Sequence, residues 1–418
     1  MSKFNSILFF SLLAVTIFLL DLYAWQAFKT LIRDLSSRTK SIIFYTYWSV
    51  SIFFVILVIL RPFFHVEQTG NPVFGVIQAF GFILIFSKLV IAVPLFLEDI
   101  FRFFEWIVGL FSHKESEQLF HSRRKFISIT GIGLGSLPFA GLTYGILKGA
   151  HDYKVRNVKL DFATLPKSFD GIKIVQISDI HAGSFWDRDA VIEGIEKIKN
   201  LNADLILFTG DLVNSKSDEM DNWKDLFSTL SAPFGIYSIL GNHDYGDYIH
   251  WQSVDAKEAN LVRLKQIQAE MGWQMLNNRS IRLEKEGEHI EIIGVENWSA
   301  KPNFPKYGKL DEALATSHNS AFQILLSHDP SHWRAEVLKT SKNIKLTLSG
   351  HTHGFQFGIE THGFKWSPVK YVYPEWAGLY HEDGQYLYVN RGFGYLGYPG
   401  RLGINPEITL FTLHSKTV

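Results

Sequence analysis

Two stretches near the amino terminus, Ile42 to Leu60 and Phe126 to Leu147, contain no charged side chain, and each is long enough to cross a bilayer. A segment in hydrocarbon must have its backbone hydrogen bonds satisfied, and uninterrupted apolar runs of this length do so as helices. Val73 to Leu97 qualifies with Lys88 as its single charge, and Ile7 to Leu20 reaches the required length by running past Asp21 to Phe28. Residues 1–150 are therefore expected to form an all-α membrane module with spans near 7–28, 42–60, 73–97 and 126–147. A cleaved signal peptide is the other reading of the first run; the lack of a small-residue cleavage site and the spans that follow oppose it. Lys88 and Asp21 are the only charges inside the spans and can snorkel, which leaves little for a transporter to work with.

The short loops carry an orientation. Lys29, Arg33, Arg38 and Lys40 cluster after the first span, Arg61 stands alone after the second, and Arg102, Lys114, Arg123, Arg124 and Lys125 follow the third. Basic loops stay in the cytoplasm, which places both the N-terminus and everything after the fourth span outside. Ser122-Arg123-Arg124-Lys125-Phe126-Ile127 is similar to a twin-arginine export signal, although it lies far from the start of the chain. Between spans three and four, Asp99, Arg102, Glu105, Ser112 and His113 recur near helical spacing among Phe101, Phe103, Phe104, Trp106 and Leu110. That pattern suits a helix lying in the membrane interface, or one packed across the bundle.

Beyond a short polar linker at His151 to Arg156, the pattern changes. Ile172 to Ile177, Leu205 to Phe208, Ile236 to Leu240, Phe322 to Leu326 and Ile344 to Leu348 are apolar runs of strand length. Amphipathic stretches, Asp187 to Lys199 and Met220 to Leu230, separate the first three. Each run ends in metal-ligand residue types: Asp179-Ile180-His181, Gly210-Asp211, Gly241-Asn242-His243-Asp244, Ser327-His328 and Gly350-His351-Thr352-His353. In open α/β sheets ligands gather beyond the carboxyl ends of the strands, so these blocks are expected along one sheet edge. Later runs, Ile281 to Val295 and Tyr371 to Leu413, alternate more and imply a second, mixed sheet. Taken singly, Asp-x-His, His-x-His and Gly-Asp are common accidents in a chain with 16 histidines; five in order at strand ends are not.

The five blocks resemble the signature of calcineurin-like metallophosphoesterases, in particular the membrane-tethered or exported bacterial phosphodiesterases. The resemblance covers residues from about Gly171 to the C-terminus, and it implies a four-layer α/β/β/α sandwich. It further implies that Asp179, His181 and His353 hold one metal, that Asn242, His328 and His351 hold a second, and that Asp211 bridges them. Such a mixed His and carboxylate set suits Mn, Fe or Zn better than Ca. Two such ions activate water and clamp the attacking and leaving oxygens of a phosphoryl transfer. His243 is then the general acid, with Asp244 available to orient its ring.

Around the ligands, Phe355, Trp366, Tyr371, Tyr373, Trp376, Tyr380 and His362 offer either a rim for a lipid or nucleoside group or core packing. Arg391 and Arg401 lie in glycine-rich loops, where a guanidinium can grip phosphate. Composition sets bounds: 418 residues fit one membrane module plus a catalytic domain over 157–418, and 41 basic against 41 acidic residues give no case for nucleic-acid binding. Without cysteine there are no disulfides and no thiolate-ligated zinc. The expectation is a membrane-anchored dinuclear phosphoesterase of a bacterial inner membrane, its site facing outward, acting on a phosphodiester or pyrophosphate in a lipid or envelope component. Cleavage of UDP-2,3-diacylglucosamine is an alternative, but it needs a cytoplasmic site. A metal-binding sensor or scaffold is another, opposed by the completeness of the ligand set.

Overall fold

The computed structural model describes residues 3–63, 72–109, 117–317, 320–361 and 363–416. These fall into two compact units, one built from residues 1–67 and 76–144, the other mainly from residues 145–418. Ser112, His113 and Leu110 of the expected interfacial helix, and His362, lie outside the described residues.

The first unit contains four helices long and apolar enough to cross a membrane: α1 (Lys3–Leu31), α2 (Ser37–Leu60), α3 (Pro72–Gly109) and α4 (Glu117–Leu147). Its interior is not wholly apolar. Lys88 Nζ lies 2.5 Å from Asp21 Oδ1 and donates to Ser51 Oγ at 2.8 Å, while Tyr47 donates to the Asp21 carbonyl. The two charges expected to snorkel are thus buried and paired, because a carboxylate on α1 and an ammonium on α3 face the same interior. No separate interfacial helix starts at Asp99: α3 runs unbroken to Gly109 and keeps Glu98, Asp99 and Glu105 on one helix. Arg123 grips both Glu105 oxygens, at 3.1 and 2.8 Å, and Arg124 pairs with Glu98 and Asp99. Gly131 and Gly135 let α4 approach the α3 backbone, where a Cβ at Gly135 would sit 2.7 Å from the Ser87 carbonyl.

The second unit begins its first strand sooner than the linker suggested. β1 (Lys154–Phe162) pairs in parallel with the last strand of the chain, β14 (Glu407–Ser415). Between them run β2 (Ile172–Ile177), β3 (Leu205–Phe208), β4 (Ile236–Ser238), β5 (Gln274–Met275), β6 (Arg279–Lys285), β7 (Glu288–Gly294), β8 (Gln323–Leu326), β9 (Ile344–Ser349), β10 (Ile359–Thr361), β11 (Phe364–Trp366), β12 (Gly378–Glu382) and β13 (Gln385–Val389). One sheet has the order β1-β14-β2-β3-β4-β5 and the other β12-β13-β9-β8-β7-β6. Both are mixed, with β14 antiparallel to β2 in the first and β6 antiparallel to β7 in the second.

Period-two alternation along buried strands sends side chains to opposite faces. Ile172 and Ile174 of β2 meet Ile292, Ile324 and Leu346 of the second sheet, while Val175 and Ile177 pack on the helical layer that includes α5 (Arg188–Lys199), with its Val191 and Ile195. The outer face of the second sheet, with Leu325, Ile344 and Leu387, is covered by Leu310, Trp333 and Val337. Three apolar layers, between two sheets and the helices on either side of them, make the α/β/β/α sandwich. The strand beginnings Ile172, Leu205, Ile236 and Ile344 agree with the sequence, and the Met220 to Leu230 stretch shortens to a single helical turn, α6 (Lys224–Phe227). The ligand blocks do not share one sheet edge: three follow strands of the first sheet and two, after β8 and β9, follow strands of the second. The site forms where the carboxyl ends of both sheets meet, and Gln176 ties them there by donating to Thr209 Oγ1 and the Ser349 carbonyl.

Candidate metal centre

The backbone itself is bent to present the side chains. Asp179, His181, Asp211, His351 and His353 all have positive φ, between 49° and 73°. Non-glycine residues rarely adopt this region, and buried ones held there cluster at functional sites. The turns are fixed from outside: Asp244 Oδ2 accepts from the N–H groups of Asp211 and Gly241, both at 2.9 Å, and Oδ1 from those of Leu212 and Val213, at 2.8 and 3.2 Å. Asp244 therefore does not orient His243. It staples the loop after β3 to the loop after β4. Burial and the Asp211 charge push its carboxyl up to about 7, and the N–H bonds from Gly241 and Val213 pull against that rise.

Two ligand groups converge. In one, single donor atoms of Asp179, His181 and His353 all lie within 4.8 Å of one another; in the other, those of Asp211, His328 and His351 do. Asp211 Oδ2 stands between them, 3.6 Å from His181 Nε2 and 3.0 Å from His328 Nε2. Its other oxygen accepts the His243 N–H at 2.8 Å, which holds the carboxylate in place. Asn242 Oδ1 faces His351 Nδ1 at 2.8 Å and so joins the second group. All seven side chains expected as ligands are thus brought to one place.

Several observations fit a pair of bound cations. The Nε2 atoms of His181 and His353 are buried and make no hydrogen bond among the described residues, while His328 Nε2 has Asp211 Oδ2 beside it. An orphaned ring nitrogen is a destabilising group unless something takes its lone pair. Burial drops His181 to about 3 and holds His353 well below the usual range, leaving both rings neutral and ready to ligate. Burial also lowers His328, but the Asp211 charge beside it outweighs this and raises the ring to about 10. Burial and the Asp211 charge lift Asp179 to about 7. Oxygen and imidazole donors in this mixture fit Mn, Fe or Zn, and outer partners fix their rings. His181 Nδ1 meets Asn214 Oδ1 at 3.0 Å, His328 Nδ1 donates to the Thr209 carbonyl at 2.7 Å, and His351 Nε2 meets Tyr373 Oη at 2.8 Å, which in turn donates to Asp329.

His243 is half-buried beside the centre, its ring 5.0 Å from that of His181. The group that orients it is the Asn214 carbonyl, 2.8 Å from Nδ1. A carbonyl only accepts, so Nδ1 keeps its proton and Nε2 is the nitrogen that exchanges one with a reacting group. Asn214 thus serves a ligand with its side chain and the acid with its backbone; its position three residues beyond Asp211 was the one clue to it in the sequence.

The two arginines are not phosphate grips. Arg391 is buried against Glu407 and Glu360, with Nη1 2.5 Å and Nη2 2.7 Å from their carboxylates. Arg401 is buried too and donates to the Gly394, Arg391 and His353 carbonyls, with Nη2 3.2 Å from His353 Nδ1. Both guanidiniums spend their terminal nitrogens on protein acceptors, and the remaining Arg391 Nε is buried without a hydrogen-bond partner among the described residues. Of the aromatic stretch, Tyr373 and Trp376 are buried, whereas Phe355 and Tyr371 are exposed.

Comparison with known proteins agrees with this geometry. The family model described as "Calcineurin-like phosphoesterase" matches residues 172–355, and "Probable Calcineurin-like phosphoesterase, transmembrane domain" matches residues 5–150. An uncharacterized metallophosphoesterase of Bacillus subtilis, YkuE, is 31% identical over 302 residues, covering 70% of this chain and 98% of that protein. The "Transmembrane protein with metallophosphoesterase domain" of Danio rerio is 28% identical over 277 residues, covering 65% of this chain and 59% of that one. An uncharacterized metallophosphoesterase of Helicobacter pylori is 28% identical over 305 residues, 72% of this chain and 75% of that one. The chain belongs to the calcineurin-like metallophosphoesterases, with a four-helix transmembrane domain ahead of its catalytic unit.

Proposed function

We propose that this membrane-anchored metallophosphoesterase hydrolyses a phosphodiester or pyrophosphate bond in a lipid or cell-envelope component, using two ions drawn from Mn, Fe and Zn. The observation that carries the reading is Asp211 Oδ2 set between two buried ligand groups, with a half-buried histidine beside them whose Nε2 is free to move a proton. When bound, two such ions supply an activated water and hold the attacking and leaving oxygens. Asp179, His181 and His353 would hold one ion, Asn242, His328 and His351 the other, with Asp211 shared. His243 delivers its Nε2 proton to the departing oxygen, and the Asn214 carbonyl keeps the ring turned for that task.

The loop charges support a site outside a bacterial cytoplasmic membrane, with Lys29, Arg33, Arg38 and Lys40 inside and Arg61 alone opposite. Tethering supports an envelope substrate, since β1 starts at Lys154, soon after α4 ends at Leu147. The test is hydrolysis of bis-p-nitrophenyl phosphate beside p-nitrophenyl phosphate by the purified full chain with Mn, Fe or Zn. Diester cleavage that needs metal and is lost in His243→Ala supports the reading. Cleavage that survives chelation, or that His243→Ala leaves intact, would sink it.

A further inference from the structure

The segment that follows His353 alternates the wrong way round for a soluble domain. Phe355, Phe357 and Ile359 are exposed, while Gln356, Gly358 and Glu360 turn inward. The β10–β11 hairpin continues the inversion. Cross-strand pairs share a face, so Ile359 with Trp366 and Thr361 with Phe364 lie on one side, and Glu360 with Lys365 on the other. It is the polar side that packs on the catalytic unit: Glu360 pairs with Arg391 and Arg156, each at 2.7 Å, and Lys365 donates to the Ala377 carbonyl. The apolar side is left outward, with Phe355 60 %, Phe364 56 % and Tyr371 75 % exposed. Facing water, polar-in and apolar-out forfeits burial on the large side chains. Facing lipid, it is the expected arrangement.

What covers this face follows from where it is anchored. The last turn of α4 packs within the catalytic unit: the Gly145 carbonyl accepts from Arg401 N at 3.1 Å, and Gly149 leaves no room for a Cβ against the Arg401 carbonyl. The loop of Tyr398 to Leu402 that receives the helix end is laced to the inverted segment. Gln356 Nε2 donates to the Tyr398 and Gly400 carbonyls, Leu402 N to the Gln356 carbonyl and Gly358 N to the Leu402 carbonyl. Arg156, which ties down the hairpin, stands on β1, the first strand after α4. The exposed apolar face is therefore laced to the segment that directly follows the last membrane-capable helix.

We propose that Phe355, Phe357, Ile359, Phe364 and Tyr371 rest in the surface of the membrane that α4 leaves, so that the loop carrying His351 and His353 opens at the level of lipid headgroups. Nothing in this depends on which bond is cleaved, so it stands or falls separately from the proposed activity. The chain has no cysteine, which makes site-specific labelling direct. Thr361→Cys, Phe364→Cys and, on the far edge strand β6, Glu284→Cys would carry an environment-sensitive fluorophore. Each full-length protein would be placed in vesicles of phosphatidylethanolamine and phosphatidylglycerol, with or without doxyl-labelled acyl chains, and a cooperative thermal unfolding transition matching the parent's would confirm that each variant is folded. The expected result is quenching at 361 and 364 at least about twofold stronger than at 284, the behaviour of probes at the headgroup and acyl boundary. Equal quenching at all three sites would overturn the proposal. So would protection at 361 and 364 that grows with protein density in the vesicle, which would assign the face to a second copy.

Discussion

Replacing Asp244 by alanine should destabilise the catalytic unit more than it disturbs any single catalytic step. Four buried N–H groups converge on its two oxygens at 2.8 to 3.2 Å. A hydrogen bond to a charged acceptor contributes roughly 1.5–3 kcal/mol net, so four counted in full would amount to about 6–12 kcal/mol. Relief of repulsion from Asp211 and entry of water into the vacated space offset part of it, leaving about 3–5 kcal/mol. For a domain of this size that corresponds to a fall in Tm of about 10 °C. The assay is thermal unfolding of the full chain beside His243→Ala. The latter should keep the native Tm while turnover drops by roughly 10²–10⁴-fold. If Asp244→Ala kept the native Tm and merely matched the turnover loss of His243→Ala, the carboxylate would be orienting the acid after all, and the stapling account would be wrong.

Metal loading should release protons and strengthen as pH rises from about 6 to 8. In the metal-free site Asp179, lifted to about 7, and His328, raised to about 10, both hold protons that a cation must displace, whereas His181, at about 3, does not. Calorimetric titrations in buffers of different protonation enthalpy measure this, and a pH-independent affinity would contradict it. Arg391→Gln should lower stability by up to about 3 kcal/mol, since the buried Glu407 carboxylate loses its closest cation and keeps Arg156, Tyr388 and Thr409, while the KM for a soluble diester stays unchanged. A raised KM at native Tm would restore the arginine to the substrate. In the membrane unit, Asp21→Asn should weaken helix association by about 1–2 kcal/mol in detergent unfolding, and adding Lys88→Met should recover part of the loss. An Asp21→Asn protein as stable as the parent would show that the pair does not hold α1 against α3.

The parts of the fold legible in the sequence are those written in consecutive residues. Ile172 to Ile177 and Leu205 to Phe208 are uninterrupted enough that their strand bounds can be read directly, and the ligands follow because each block is contiguous with its strand. Which sheet a strand joins is decided by distant pairing, so β8 and β9 gave no local sign that they belong with β7 and β13. The same applies to side-chain roles. Arg391 finds Glu407, and Asp21 finds Lys88 across a helix pair. Asp244 looked like a partner for His243 because it is adjacent in the chain. In the turn at His243 to Tyr245 their side chains diverge, and the carboxylate meets the N–H groups of a loop some thirty residues away.

Asp211 is the side chain on which the proposed two-ion centre depends. The most direct test is metal content measured together with diester turnover in the parent chain and in Asp211→Ala. Two ions per chain in the parent, with both metal retention and turnover lost in the variant, is the predicted result. A variant that kept full metal-dependent activity would contradict the assignment of the centre.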